Sequence, residues 1–172
     1  MNKTLFLDRD GTINIDYGYV HEPDRFVFRD GIFDLCRAAQ SRGYSIVVVS
    51  NQSGVARGYY TKAEMDACNA SMKDAFGKEG IGVSAVYCCT SADDSDPDRK
   101  PNPGLFLKAA ADLGIDMASS VSIGDSARDA IAASRAGVGL NLLLAPAYDP
   151  CARTVADFAE AERMLRGEEP GR

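Results

Sequence analysis

Residues 4–12 read TLFLDRDGT. Thr4 to Leu7 is a short run of apolar and β-favouring residues without alternation, the pattern of a strand covered on both faces. It stops at two carboxylates one residue apart, Asp8 and Asp10, with Gly11 and Thr12 directly behind them. Like charges held that close raise one another's pKa unless a cation joins them. The stretch therefore predicts a buried parallel strand whose carboxyl end is a site.

Comparable runs recur downstream. YSIVVVS (Tyr44–Ser50), VSAVYCC (Val83–Cys89), SVSIGD (Ser120–Asp125) and GLNLLL (Gly139–Leu144) all read as strands. Between them lie segments of helical length: Gly31–Arg42, Thr61 toward Lys78, Pro103–Leu113, Ala127–Ala136 and Arg153–Leu165. Thr61 with Glu64 three residues later forms a capping box, Pro103 stands near a helix start, and Gly114 and Gly137 stand at helix ends. Strands alternating with helices predict βαβ units with right-handed crossovers, a Rossmann-like parallel sheet carrying helices on both faces. One domain over residues 1–166 with a frayed, solvated tail at 167–172 is expected.

Bulk properties exclude several classes. At 172 residues and 45% apolar composition, one core is affordable and two are not. No apolar run is long enough to span a bilayer, and MNKTLFLD enters the first strand without a signal-peptide core. A net charge of −6 argues against a nucleic-acid partner, whose affinity is drawn from Lys and Arg. The five cysteines lack framework spacing, which predicts reduced thiols and a cytoplasmic protein.

In a parallel sheet the carboxyl ends of all strands share one edge, where ligands bind. That edge gathers Asp8 and Asp10, Ser50 with Asn51–Gly54, the RKPNPG loop holding Arg99 and Lys100, and GDSARD with Asp125 and Asp129. The long Gly11–Asp30 connection overhangs the same edge. Three carboxylates, a lysine and a hydroxyl suit a hard divalent cation, Mg²⁺, held by Asp8, Asp125 and the Asp10 carbonyl, together with a phosphate. The chemistry indicated is phosphoryl transfer. Asp8 is the candidate nucleophile and Asp10 the acid and base. Lys100 offers the phosphate a compact positive charge, Ser50 adds a hydrogen-bond donor, and Thr12 braces the turn.

The four elements, DxDGT, the later Ser, the Lys and GDxxxD, resemble the haloacid dehalogenase superfamily of phosphatases in type and order. The short intervals after the first and third strands imply a capless member. FLDRDGTIN, YGYVHEPDRFVF, VVVSNQSGVARGYYT and RKPNPG are further similar to the D-glycero-D-manno-heptose 1,7-bisphosphate phosphatases over about Leu5–Gly137. That resemblance implies removal of a C7 phosphate from a small phosphosugar by a monomer. Asn51 and Gln52 would then hold the sugar, with Arg57 and Arg99 meeting the distal phosphate. Histidinol-phosphate phosphatases share many of these words, and a silent phosphosugar-binding module is the alternative outside enzymes.

Two departures stand out. The loop CCTSADDSDPD (Cys88–Asp98) keeps one cysteine of a zinc loop found in many relatives but lacks its His and later Cys pair, so no structural zinc is expected. Ser126 stands where many relatives carry Lys. Of the remaining polar residues, Asp129 reads equally as a site residue or a helix brace. His21 reads as a loop or wall residue, and Tyr17, Tyr19, Tyr59 and Tyr60 as loop anchors or stacking surfaces.

Overall fold

The computed structural model describes residues 2–168. Six parallel strands form one sheet: β1 (Thr4–Leu7), β2 (Ser45–Asn51), β3 (Val83–Cys89), β4 (Val121–Gly124), β5 (Leu140–Leu144) and β6 (Arg153–Val155). Their order is β3-β2-β1-β4-β5-β6. The chain winds outward from β1 to β3, then returns to the other side of β1 with β4. The strand order thus reverses between β1 and β4, and a crevice opens there at the carboxyl edge.

Five helices cover the two faces: α1 (Ile32–Ser41), α2 (Lys62–Lys78), α3 (Gly104–Leu113), α4 (Ala127–Arg135) and α5 (Phe158–Leu165). Strand periodicity sorts the core. Leu5, Leu7, Ile46, Val48 and Ile123 pack with Ile32, Leu35 and Phe76 of α1 and α2 on one face. Phe6, Val47 and Val49 pack with Leu105, Phe106 and Ala132 of α3 and α4 on the other. Both sides of β1 are dry, which is why its sequence does not alternate.

The expected elements form with ends shifted by a residue or so, and one is reassigned. Residues 153–165 are not a single helix: Arg153–Val155 pairs in parallel with β5, and α5 begins only at Phe158. The true start is Asp157, whose carboxylate accepts from the Glu160 N–H at 2.8 Å. Pro103 is the N-cap of α3 rather than a residue of its first turn. The Thr61–Glu64 capping box forms as read. The β1–α1 and β3–α3 connections hold one 3-10 turn, Pro23–Arg25, and no other helix or named strand among the described residues. The last four residues of the expected frayed tail lie outside the described residues. No described helix is long and apolar enough to cross a membrane.

Candidate active site

β1 ends at Leu7, so Asp8 is the first residue past the sheet, and its N–H donates to the Ile123 carbonyl of β4 at 3.1 Å. That bond ties the nucleophile candidate to the neighbouring strand, one residue before Gly124 and two before Asp125. The Asp8, Asp125 and Asp129 carboxylates converge, with ligand oxygens within 4.8 Å of one another. Gly11 lets the following turn close on them. Its φ of +87° is in the left-handed region, and a Cβ there would lie 1.9 Å from Asp125 Oδ2.

Lys100 reaches this cluster from the β3–α3 loop. Its Nζ donates to Asp8 Oδ1 at 2.8 Å and the Val49 carbonyl at 2.8 Å, and pairs with Asp129 Oδ1 at 2.7 Å. The side chain is only 2% exposed. Burial works against its charge, but the Asp129 and Asp8 carboxylates outweigh it and hold its pKa above the usual lysine value. Burial first, and the Asp129 charge second, push Asp8 well above the ordinary carboxylate range. The same two causes in the same order raise Asp125. One lysine does not balance three converging carboxylates, and their oxygens could together hold a cation.

Asp10 belongs to a separate network. The Arg9 side chain is 0% exposed and spans Asp10, with Nε 3.3 Å from Oδ1 and Nη2 3.1 Å from Oδ2. Arg9 also donates to Asn69 Oδ1 of α2 at 2.9 Å, to Gln52 Oε1 at 3.1 Å and to the Val20 carbonyl. Gln52 Nε2 donates at 2.8 Å to Asp10 Oδ2 and at 2.8 Å to Ser50 Oγ. Tyr60 completes the chain by donating to Gln52 Oε1 at 2.5 Å. Burial pushes its phenol up to about 12, so it stays a donor. His21 stacks on the Tyr60 ring with centroids 4.7 Å apart and lines a neighbouring cavity with Tyr17, Tyr19 and Tyr59 rather than the one that the carboxylates border. The two aspartates of the opening motif therefore face different partners: Asp8 a lysine and two carboxylates, Asp10 a buried guanidinium and an amide.

The crevice above these groups has a volume of about 340 Å³. Asp8, Asp10, Lys100 and Asp125 border it, as do Asn51 and Gln52. The last two are occupied. Asn51 Nδ2 donates to the Lys100 carbonyl at 3.0 Å and Asn51 Oδ1 accepts the Lys100 N–H at 3.0 Å, so it clamps the lysine's backbone rather than reaching for a sugar. Gln52 likewise spends its amide on Asp10 and Ser50. Ser50 is buried beneath, and Thr12 is fully buried with an unpartnered hydroxyl, off the crevice wall.

The two arginines expected at a distal phosphate stand elsewhere. Arg99 is buried, with Nε on Asp94 Oδ1 at 2.9 Å and Nη1 on the Ser91 carbonyl at 3.2 Å, so it closes its own loop. Arg57 is exposed, 3.4 Å from Ser53 Oγ. Neither borders the crevice. Asp129 resolves as both brace and site: Oδ2 accepts the N–H groups of Asp125 and Ser126 at 3.2 and 3.0 Å, while Oδ1 holds Lys100.

Sequence reasoning passed over Arg9, Asn69 and the crevice-wall residue Arg128. For Arg9 a signal existed: a guanidinium between two carboxylates at a strand end has to find partners wherever the fold buries it.

Residues 6–137 match the family model of the haloacid dehalogenase-like hydrolases. The chain is 43% identical over 168 residues to the D-glycero-alpha-D-manno-heptose-1,7-bisphosphate 7-phosphatase of Burkholderia mallei, covering 93% of this chain and 87% of that one. It is 40% identical over 148 residues to the D-glycero-beta-D-manno-heptose-1,7-bisphosphate 7-phosphatase of Yersinia pestis, covering 81% and 79%. Among solved structures, the D,D-heptose 1,7-bisphosphate phosphatase of B. bronchiseptica complexed with magnesium and phosphate superposes with a TM-score of 0.87 at 30% identity, covering 97% of this chain and 99% of that one.

Proposed function

The chain belongs to the haloacid dehalogenase-like hydrolases, and on that footing we propose that it is a Mg²⁺-dependent phosphatase removing the C7 phosphate of D-glycero-D-manno-heptose 1,7-bisphosphate. The observation that carries the chemistry is the convergence of Asp8, Asp125 and Asp129 around Lys100. The names of the relatives similar over most of the chain support the substrate. On this reading the protein is a cytoplasmic monomer acting on a small molecule. The Ser91–Asn102 loop is tied by Arg99 and by Asn102 Nδ2, which donates to the Asp94 and Asp96 carbonyls at 3.0 and 2.9 Å. This internal bonding supports a loop built without zinc.

The residues fit a hard cation: every candidate donor is an oxygen, and Gly11 leaves room for Asp125 beside Asp8. Asp8 and Asp125, with the Asp10 carbonyl, would hold Mg²⁺, which when bound neutralises phosphate charge. Asp8 Oδ then attacks phosphorus as the bond to the C7 oxygen breaks, giving an aspartyl-phosphate. Asp10, fixed by Arg9 and Gln52, hands its proton to that leaving oxygen. It next takes a proton from the water that attacks phosphorus, releasing phosphate and restoring the Asp8 carboxylate. Lys100 remains charged throughout and faces the nucleophile.

Phosphate release from both heptose bisphosphate anomers, histidinol phosphate and hexose monophosphates tests the substrate. A kcat/KM for one heptose anomer at least about tenfold above histidinol phosphate is expected, a gap of about 1.4 kcal/mol in transition-state binding. Equal slow hydrolysis of all of them would remove the substrate assignment while leaving the chemistry in place.

Metal dependence carries a sign. A carboxyl whose folded pKa is raised contributes stability that is fully present below its unfolded value, about 3.9, and is lost as pH rises through the folded value. Asp8 and Asp125 are both of this kind. In metal-free protein they therefore weaken the fold toward neutral and alkaline pH, where a divalent cation relieves them most. Melting with and without Mg²⁺ is expected to show a larger Mg²⁺-induced rise in Tm at pH 8 than at pH 5. An increment that is equal at the two values, or larger at pH 5, contradicts binding at these carboxylates.

A further inference from the structure

A bisphosphate brings a second phosphate that does not react, and the crevice is poorly charged to receive it. Five carboxylates border it: Asp8, Asp10, Asp16, Asp125 and Asp129. Among the described residues, two Lys and Arg side chains border it, Lys100 and Arg128. Lys100 is buried and spent on Asp8, Asp129 and the Val49 carbonyl. Arg128 is exposed, in the first turn of α4, and among the described residues it takes part in no side-chain hydrogen bond or ion pair. Arg57 and Arg99 lie off the crevice, the second already engaged by Asp94.

We propose that Arg128 grips the non-reacting phosphate and sets the preference for a bisphosphate over a monophosphate. The proposal rests on the substrate reading above and deepens it. A guanidinium presents a planar fork of N–H donors that matches two phosphate oxygens, and its charge offsets the repulsion a second dianion meets from the crevice carboxylates. It borders the same crevice as Asp8, Asp125 and Ser126 and is exposed, so a ligand whose reacting phosphate lies at Asp8 shares that crevice with a solvent-facing guanidinium. Being uncommitted in the free protein, it engages the ligand without first breaking an internal bond.

The test compares kcat/KM for heptose 1,7-bisphosphate and heptose 7-phosphate in the wild type, Arg128→Ala, Arg128→Lys and Arg128→Glu, each checked for an unchanged melting temperature. Loss of a charge-assisted contact is expected to lower the bisphosphate-to-monophosphate ratio by about 10–100-fold in Arg128→Ala, mainly through KM. Arg128→Lys recovers part of the ratio and Arg128→Glu lowers it further. A wild-type preference that survives Arg128→Ala overturns the proposal and leaves the substrate reading standing. A wild type that treats the two esters alike overturns the proposal together with the bisphosphate reading.

Discussion

Asp8→Asn is expected to lower turnover by on the order of 10⁴-fold or more while leaving the protein folded. The amide keeps the size of the carboxylate, and its oxygen can still accept from Lys100 Nζ, which retains Asp129 as its other anionic partner. What disappears is the anionic oxygen that attacks phosphorus. Stability is expected to hold or improve in metal-free protein, because the substitution removes one of three crowded carboxylates whose mutual repulsion and burial already raise the Asp8 pKa. Mg²⁺ affinity falls with the lost charge. Steady-state turnover, melting without metal and Mg²⁺ titration read these effects separately. Hydrolysis within tenfold of wild type would mean that another group attacks phosphorus.

Lys100→Met gives the other large effect, this time on the fold as well as the chemistry. The lysine is buried, bonded to Asp8, Asp129 and the Val49 carbonyl, and it is the cation paired with the carboxylate cluster. Removing one partner of a buried ion pair leaves uncompensated charge and costs about 3–5 kcal/mol. For a chain of this size that corresponds to a Tm lower by on the order of 10 °C. The deficit should shrink on acidification, as the carboxylates protonate, and in the double variant Lys100→Met/Asp129→Asn, which removes a stranded charge. Turnover should recover in neither case, since no cation then faces the phosphate. A single variant that melts with the wild type would show that the lysine is not the electrostatic keystone of the cluster.

The contrast between Asp8 and Asp10 explains what could be read beforehand. The strands were legible because β1 and β2 are apolar on both faces, and the order of β1, β3 and β4 along the chain sufficed to bring Asp8, Lys100 and Asp125 to one edge. β6 was not legible: its three residues carry no periodicity, and only pairing with β5 makes them a strand. The charged residues divide in the same way. A carboxylate at a strand end is placed by the strand, whereas a long side chain goes where its partners are. Arg99 has the sequence context of a substrate residue, yet Asp94 and the Ser91 carbonyl draw it into its own loop. Arg9 and Gln52 depend on α2 and on Tyr60, contacts separated by up to 60 residues, which no local pattern encodes.

The central claim is that this chain hydrolyses the C7 phosphate of a heptose bisphosphate through Asp8. Following the reaction by ³¹P NMR in ¹⁸O-enriched water tests it most directly, because the spectrum identifies which ester is lost and where solvent oxygen enters. The expected result is loss of the C7 resonance with the C1 phosphate intact, ¹⁸O appearing in the inorganic phosphate, and no reaction with Asp8→Asn. Loss of the C1 phosphate instead, or the same spectrum from Asp8→Asn, would contradict it.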